Sequence, residues 1–305
     1  MKYSMLTSVH RCLTTLLTLA VVTMPVQAQL VVPDDTGQVV CLPAPARRIV
    51  SLAPHATELL FAAGAGKRVV GVSAFSDYPD EARDLPRVSG GMQLDMERIL
   101  ALQPDLVVGW QSGNTRADLE KLAALGIPVF LAEPQRLDAI PDTLLRLGRL
   151  AGSEPAAVAA ASAYREALTR LRSAYQDRRP VRVFFEIGVQ PLMTLNHAHL
   201  VSDLLALCGG RNVFAASNLI APEVSVEAVL LQDPDVILFS DELGTVAGMR
   251  DWWQERAALR AVRAGRVYAV PAELVLRQTP RVLQGARRVC ADLDAARVSL
   301  ARERN

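Results

Sequence analysis

The chain is poor in the residues on which most secreted catalysts depend. Among 305 residues there are 4 histidines and 4 cysteines, and no histidine or cysteine stands at metal-ligand spacing from another cysteine. It has no G-x-S-x-G elbow and no H-E-x-x-H pair. An enzyme, for instance a secreted α/β hydrolase, would have to build its chemistry on His55 or on His197 and His199. A basic stripe is also missing. With 33 Lys and Arg against 32 Asp and Glu there is no electrostatic footprint for nucleic acid. The pairs Arg47-Arg48 and Arg178-Arg179, beside predicted strands, read as solvated punctuation. Past the N-terminal region no apolar run is long enough to span a bilayer.

What is present begins with an export signal. Lys2 and Arg11 precede the apolar run "CLTTLLTLAVVTM", which leads through Pro25 to "VQA". Cleavage is expected after Ala28, with residues 1–28 removed and the mature chain exported. Cys12 has no lipobox-like setting, so a lipid anchor is not expected. About 277 residues remain, a length suited to two domains rather than one core. Cys41, Cys208 and Cys290 survive cleavage. In an oxidising compartment three cysteines imply one pair and one spare, and the residues alone leave three pairings open.

From Arg47 short apolar runs alternate with amphipathic stretches: "RIVSL", "TELLFAAG", "RVVGVS", "MERILALQ", "DLVVGW", "ADLEKLAALG", "IPVFLA". Strand and helix separated by a few residues is the pattern of parallel βαβ units. After an N-terminal extension at 29–46, we expect one α/β lobe at 47–135 and a second at 178–305, each a mainly parallel sheet flanked by helices. Residues 136–177, rich in Ala, Leu and Arg, read as one long connecting helix or two nearly collinear pieces. In the second lobe "MRDWWQERAALRAV" reads as a single helix, on which one of Trp252 and Trp253 must face the core.

One phrase occurs twice. "MERILALQPDLVV" at 96–108 and "VEAVLLQDPDVIL" at 226–238 align Glu97 with Glu227 and Pro104-Asp105 with Pro234-Asp235, at a constant offset of 130. A Pro-Asp turn between helix and strand is common. The shared glutamate and apolar register point instead to two related lobes on either side of a rigid connector.

These segments, with "SAFSDYP", "WQSGN", "LALCGGRNVF" and "VSVEAVL", resemble the helical-backbone (class III) periplasmic binding proteins of ABC importers, from about Arg47 to about Leu293. The resemblance implies a class III fold, a monomer, and a ligand held between the lobes. It implies a partner as well, the importer's permease with its ATPase. It pairs Cys208 with Cys290 and makes Glu97 and Glu227 carboxylates that dock into arginine pockets on the permease. Against the family's cobalamin-carrying members, Phe75, Tyr78 and Trp110 match cleft aromatics. Glu273 and Arg277 match an acid and an arginine on the opposite lip. Gly91, Met193 and Ala221 stand where those members carry further aromatic rings, with Met193 kept as a ligand-facing position. The implied ligand is cobalamin or a related cobalt corrinoid, with haem or a ferric siderophore as the alternative within the family. No resident cofactor or metal is implied.

The residues carry their own arguments. Trp110, Phe75 and Tyr78 sit at predicted strand ends, where open parallel sheets bind ligands and rigid rings can stack on a flat macrocycle. His55 and His197 could each present an imidazole to a ligand's metal, although His55 could equally cap the following helix. His197 and His199 alternate and could face one way. Arg277 interrupts an apolar run and needs a partner, for which Glu273 or an anionic ligand group would serve. A carboxylate at a helix start, as at Glu97 and Glu227, is favoured by the macrodipole in any protein.

Overall fold

The computed structural model describes residues 29–91 and 93–303; the expected signal peptide lies outside them. Residues 29–46, expected only as an extension, form the antiparallel hairpin β1 (Leu30–Pro33) and β2 (Val39–Leu42), which buries Val32, Val40 and Leu42 on the first lobe. That lobe contains β3 (Ile49–Ser51), α1 (Pro54–Ala62), β4 (Val69–Val72), the short pair β5 (Ser89–Gly90) and β6 (Gln93–Leu94), α2 (Met96–Ala101), β7 (Leu106–Gly109), α3 (Arg116–Ala124) and β8 (Val129–Leu131). Its main sheet is parallel in the order β4-β3-β7-β8.

Two helices follow, α4 (Ile140–Ala151) and α5 (Glu154–Tyr175). The second lobe contains β9 (Val181–Glu186), the pair β10 (Gly188–Val189) and β11 (Leu192–Met193), α6 (Leu200–Leu207), β12 (Gly210–Asn212), α7 (Val226–Gln232) and β13 (Val236–Ser240). It ends with α8 (Val246–Gln254), α9 (Arg260–Arg263), β14 (Val267–Val270), α10 (Ala272–Val275) and α11 (Val282–Arg302). Its sheet is parallel in the order β12-β9-β13-β14. The fold is α/β, two lobes with parallel sheets joined through the long helix α5.

The expected connector over 136–177, one long helix or two nearly collinear pieces, is corrected on both counts. Gly152, at φ +60°, takes the left-handed conformation that ends α4 and reverses the chain. The two helices then run antiparallel, with ion pairs Asp142–Arg165 and Asp138–Arg172 at 2.6 Å each. Only α5 is the connector. It buries Ala157, Ala161, Tyr164, Leu168 and Leu171, a stripe spaced by three and four residues. The expected helix over "MRDWWQERAALRAV" is also two pieces, α8 and α9. Trp253 is the buried member of its pair, and Trp252 packs under the Arg256 guanidinium, 3.4 Å from its ring centroid.

Strand residues alternate between two environments. Leu106 and Val108 of β7, and Val183 and Phe185 of β9, enter one apolar core that runs through α4 and α5 into both lobes. Their neighbours Val107 and Phe184 enter separate clusters, with Ile99 and Leu122 in the first lobe and Val229 and Trp253 in the second. Each sheet is therefore covered on both faces, as parallel strands require.

The repeated phrase builds the same joint twice. Asp105 accepts hydrogen bonds from Arg47 N and Arg48 N (2.8 and 2.9 Å), while the Arg48 guanidinium donates to Leu102 O at the end of α2. Asp235 accepts from Arg182 N (2.9 Å), and the Arg182 guanidinium donates to Gln232 O at the end of α7. Arg48, exposed as expected, thus also closes a helix end. The Cys208–Cys290 disulfide ties α6 to α11, with 4.8 Å between Cα atoms, and Cys41 is an exposed thiol. Among the described residues no helix is long and apolar enough to cross a membrane.

Glu186 ends β9 fully buried, accepting from Trp253 Nε1 at 2.7 Å while its other oxygen has no partner. Burial pushes its pKa up from 4.5 to about 7, against the Trp253 hydrogen bond and the attraction of Arg256. Between pH 4.5 and 7 the unfolded chain gives up this proton while the folded chain keeps it, so stability falls as pH rises across that window. Glu186→Gln keeps an acceptor for Trp253 and abolishes the charge. It is expected to raise stability at pH 8 by about 2 kcal/mol and to leave pH 4 stability unchanged, measured by urea denaturation at both values.

Candidate functional site

The segments leaving the carboxyl ends of β3, β4 and β7 carry His55 in the first turn of α1, Phe75 with Tyr78, and Trp110. The segment after β14 carries Glu273 and Arg277. Arg277 crosses between the lobes. Its guanidinium meets Glu58 on α1 at 2.9 Å and Asp77 at 3.0 Å. Arg281 also reaches Glu58, at 3.3 Å, and it pairs with Glu273 at 3.0 Å and lies over the Tyr78 ring at 3.9 Å. The expected Glu273–Arg277 pair is therefore not made; Glu58 and Asp77 take Arg277, and Arg281 takes Glu273.

Burial pushes the Glu58 carboxyl above its ordinary value, with Arg277 and Arg281 pulling it back. For Asp77 burial also acts upward, but its hydrogen bond and attraction to Arg277 leave it below the ordinary carboxylate value. A cavity of about 450 Å³ opens between Phe75 and Asp77 of the first lobe and Glu242, Glu273 and Arg277 of the second. Another, of about 300 Å³, lies between Glu58, Tyr78 and Glu81 on one side and Pro280 and Arg281 on the other. A larger groove of about 840 Å³ is lined by first-lobe residues alone, on β2, α3, β8 and the loops beside them. Of these three, the two smaller have walls from both lobes, and they mark the cleft.

Phe75 is 73% exposed and its backbone sits at φ +62°, a region that costs a side-chain-bearing residue on the order of 1 kcal/mol or more. A buried chain of hydroxyls holds the loop there: Ser51, Thr57, Ser76 and Ser73, with successive O–O distances of 2.8, 3.0 and 3.0 Å. The Arg87 guanidinium adds a bond to Ser76 O at 2.7 Å. Nothing in the core requires that ring to be where it is. Tyr78 is 43% exposed.

Trp110 is half-buried, its indole N–H buried without a partner, and its ring covers Gly113, where a Cβ would come within 1.9 Å. His55 supports it edge-on, with ring centroids 5.3 Å apart. His55 Nε2 donates to Ala132 O at 2.8 Å. Burial, with Arg277 nearby, holds its pKa down at about 4, against the Ala132 hydrogen bond. This imidazole is a neutral, 3% exposed prop for Trp110; it neither caps α1 nor offers a ligand an open face.

On the second lobe Met193 is half-buried on β11. His197 is exposed, with Nδ1 donating to Ala215 O at 2.8 Å. His199 turns elsewhere: its Nδ1 accepts from Val201 N and caps α6, so the two rings do not share a face. Glu97 and Glu227 are exposed in the first turns of α2 and α7, behind the caps Asp95 and Ser225. Hydrogen bonds from its own backbone and from Ser225 lower the Glu227 pKa. Among the described residues no cluster of His, Cys, Asp and Glu could hold a metal ion.

Residues 49–274 match the family model described as periplasmic binding protein. The chain belongs to the periplasmic binding proteins. It is 38% identical over 261 residues to the vitamin B12-binding protein of Vibrio cholerae, covering 86% of this chain and 94% of that one. It is 37% identical over 264 residues to the vitamin B12-binding protein of Pectobacterium carotovorum, covering 85% and 94%. Among solved structures, the periplasmic vitamin B12 binding protein BtuF of Vibrio cholerae superposes with a TM-score of 0.78 at 39% identity, over 83% of this chain and 98% of that one. The periplasmic heme-binding protein RhuT of Roseiflexus sp. RS-1 does so with a TM-score of 0.73 at 27% identity, over 82% and 99%.

In this periplasmic binding protein the polar residues missed from the sequence are Glu58, Asp77 and Arg281. Glu58 could have been suspected, since an acid inside "TELLF" is out of place on a buried helical face. Nothing local marks the other two. Arg277→Met leaves the buried Glu58 with Arg281 alone and is expected to cost about 2 kcal/mol in denaturant unfolding. Adding Glu58→Gln should recover most of that loss, because the penalty lies in the unpaired charge. Equal and additive losses would show that no such coupling exists.

Proposed function

We propose that this protein captures cobalamin or a related corrinoid in the cleft between its lobes and hands it to the permease of an ABC importer. The observation that carries the reading is Phe75. A fully presented ring on a backbone forced into the left-handed region, at the mouth of an inter-lobe cavity, is a stacking platform held ready before any ligand arrives. In this reading Tyr78 and Trp110 extend it, and Met193 is the second-lobe residue that would meet the ligand. Glu273 and Arg277 form the polar lip, and His197 offers the one exposed imidazole nitrogen among the candidates. The similarity to proteins named for vitamin B12 binding supports the ligand class.

Glu97 and Glu227 are the proposed docking carboxylates. They stand at equivalent places on the two lobes, so both can engage basic pockets at once, fixing orientation and adding avidity. The protein acts as an exported monomer after removal of residues 1–28, does no covalent chemistry and carries no resident cofactor.

The decisive experiment titrates the purified mature protein with cyanocobalamin, cobinamide and haemin, followed by absorbance and calorimetry. One-to-one binding of a corrinoid, weakened at least tenfold by Phe75→Ala, is expected; no heat and no spectral change with either corrinoid rules the ligand out. Charge reversal at Glu97 and Glu227 together should abolish uptake in whole cells and leave ligand affinity intact. A parallel fall in affinity would remove the docking role.

A further inference from the structure

Both arginines of the cleft are already paired with carboxylates. Arg277 is held by Glu58 and Asp77, and Arg281 by Glu58 and Glu273, at distances between 2.9 and 3.3 Å. Around the two inter-lobe cavities stand five carboxylates, Glu58, Asp77, Glu81, Glu242 and Glu273, against these two guanidiniums. No lysine or histidine is among the described residues that line them. The walls on this side are therefore net acidic, and each guanidinium is already paired with two carboxylates.

A ligand approaching here meets no spare cation. Metal macrocycles of similar size differ sharply in what they carry on their edges. Haem presents two propionate carboxylates, whereas the corrin ring is rimmed mainly by neutral carboxamides, whose N–H groups can donate to carboxylate oxygens. The first must displace an existing carboxylate from an arginine or lie unpaired against negative charge. The second gains acceptors without loss.

We infer that Asp77 and Glu273, with Glu58, form a charge filter: by occupying Arg277 and Arg281 they close the cleft to chelates with peripheral carboxylates and leave it open to amide-rimmed ones. This rests on the corrinoid reading above and adds the residues that would decide between that ligand and haem. Asp77 and Glu273 are the adjustable members, because their side chains are 52% and 47% exposed and their loss leaves no buried cavity. Glu58, at 2%, is part of the core. The filter works by pairing, not by shape, so it predicts a change in preference rather than a general loss of binding.

The test compares haemin and cyanocobalamin affinities, by calorimetry, for the wild-type protein, for the double variant Asp77→Asn/Glu273→Gln and for the charge-conserving Asp77→Glu/Glu273→Asp. The neutral double variant should raise the ratio of haemin to cyanocobalamin affinity at least tenfold, and the charge-conserving one should keep the wild-type ratio. If the wild-type protein binds cyanocobalamin and the ratio in the neutral variant moves less than threefold, the filter is wrong while the corrinoid reading stands. The filter is equally overturned if the charge-conserving variant shifts the ratio as far as the neutral one. If the wild-type protein prefers haemin, both readings fall.

Discussion

The two lobes share one apolar core, and the geometry of the cleft depends on it. Leu144 and Leu147 of α4 and Tyr164, Leu168 and Leu171 of α5 pack in the same cluster as β3 and β7 of the first lobe and β9 and β13 of the second. Each buried leucine contributes roughly 2 kcal/mol, so the lobes cannot separate at this face without exposing much of the core. Two polar ties reinforce it. Asp203 on α6 accepts from Leu137 N and Arg136, and Arg277 reaches Glu58 and Asp77. The carboxyl ends of both sheets are thus fixed opposite each other, which is what lets loop residues from separate sheets act as one site.

Much of this was legible in the sequence. A parallel strand buried on both faces reads as a continuous apolar run, and the runs at 49–51 and 106–109 were legible on that ground. The repeat was legible too, and its meaning is now chemical: Asp105 and Asp235 each tie a later helix–strand turn to the amide at the start of an earlier, neighbouring strand. The reversal at Gly152 was hidden, because the glycine in "RLAGSEP" permits a left-handed turn without demanding one. The hairpin at 30–42 was hidden because its partners, Leu131 and Arg146, lie about a hundred residues away.

The site divided along the same line. Aromatics at strand ends could be picked out because large rings there have few structural duties. The histidines could not be assigned, since a buried prop such as His55, a helix cap such as His199 and an exposed ring such as His197 share one letter. The ion network was least legible. Arg277 announced that it needed a partner, but Glu58 and Asp77 lie some two hundred residues earlier, and only the folded chain brings them within 3.0 Å. Long-range pairing of charges has no periodicity to read.

The backbone at Phe75 sets folding against selection. At φ +62° a glycine would sit without penalty, so mutation toward stability favours losing the ring, and the hydroxyl chain beneath would keep the loop's shape if it went. The phenylalanine is therefore a residue the fold taxes in every generation. Among descendants of this chain, that one position would report whether the cleft is still in use, since a lineage that no longer imports its ligand has every reason to relax it.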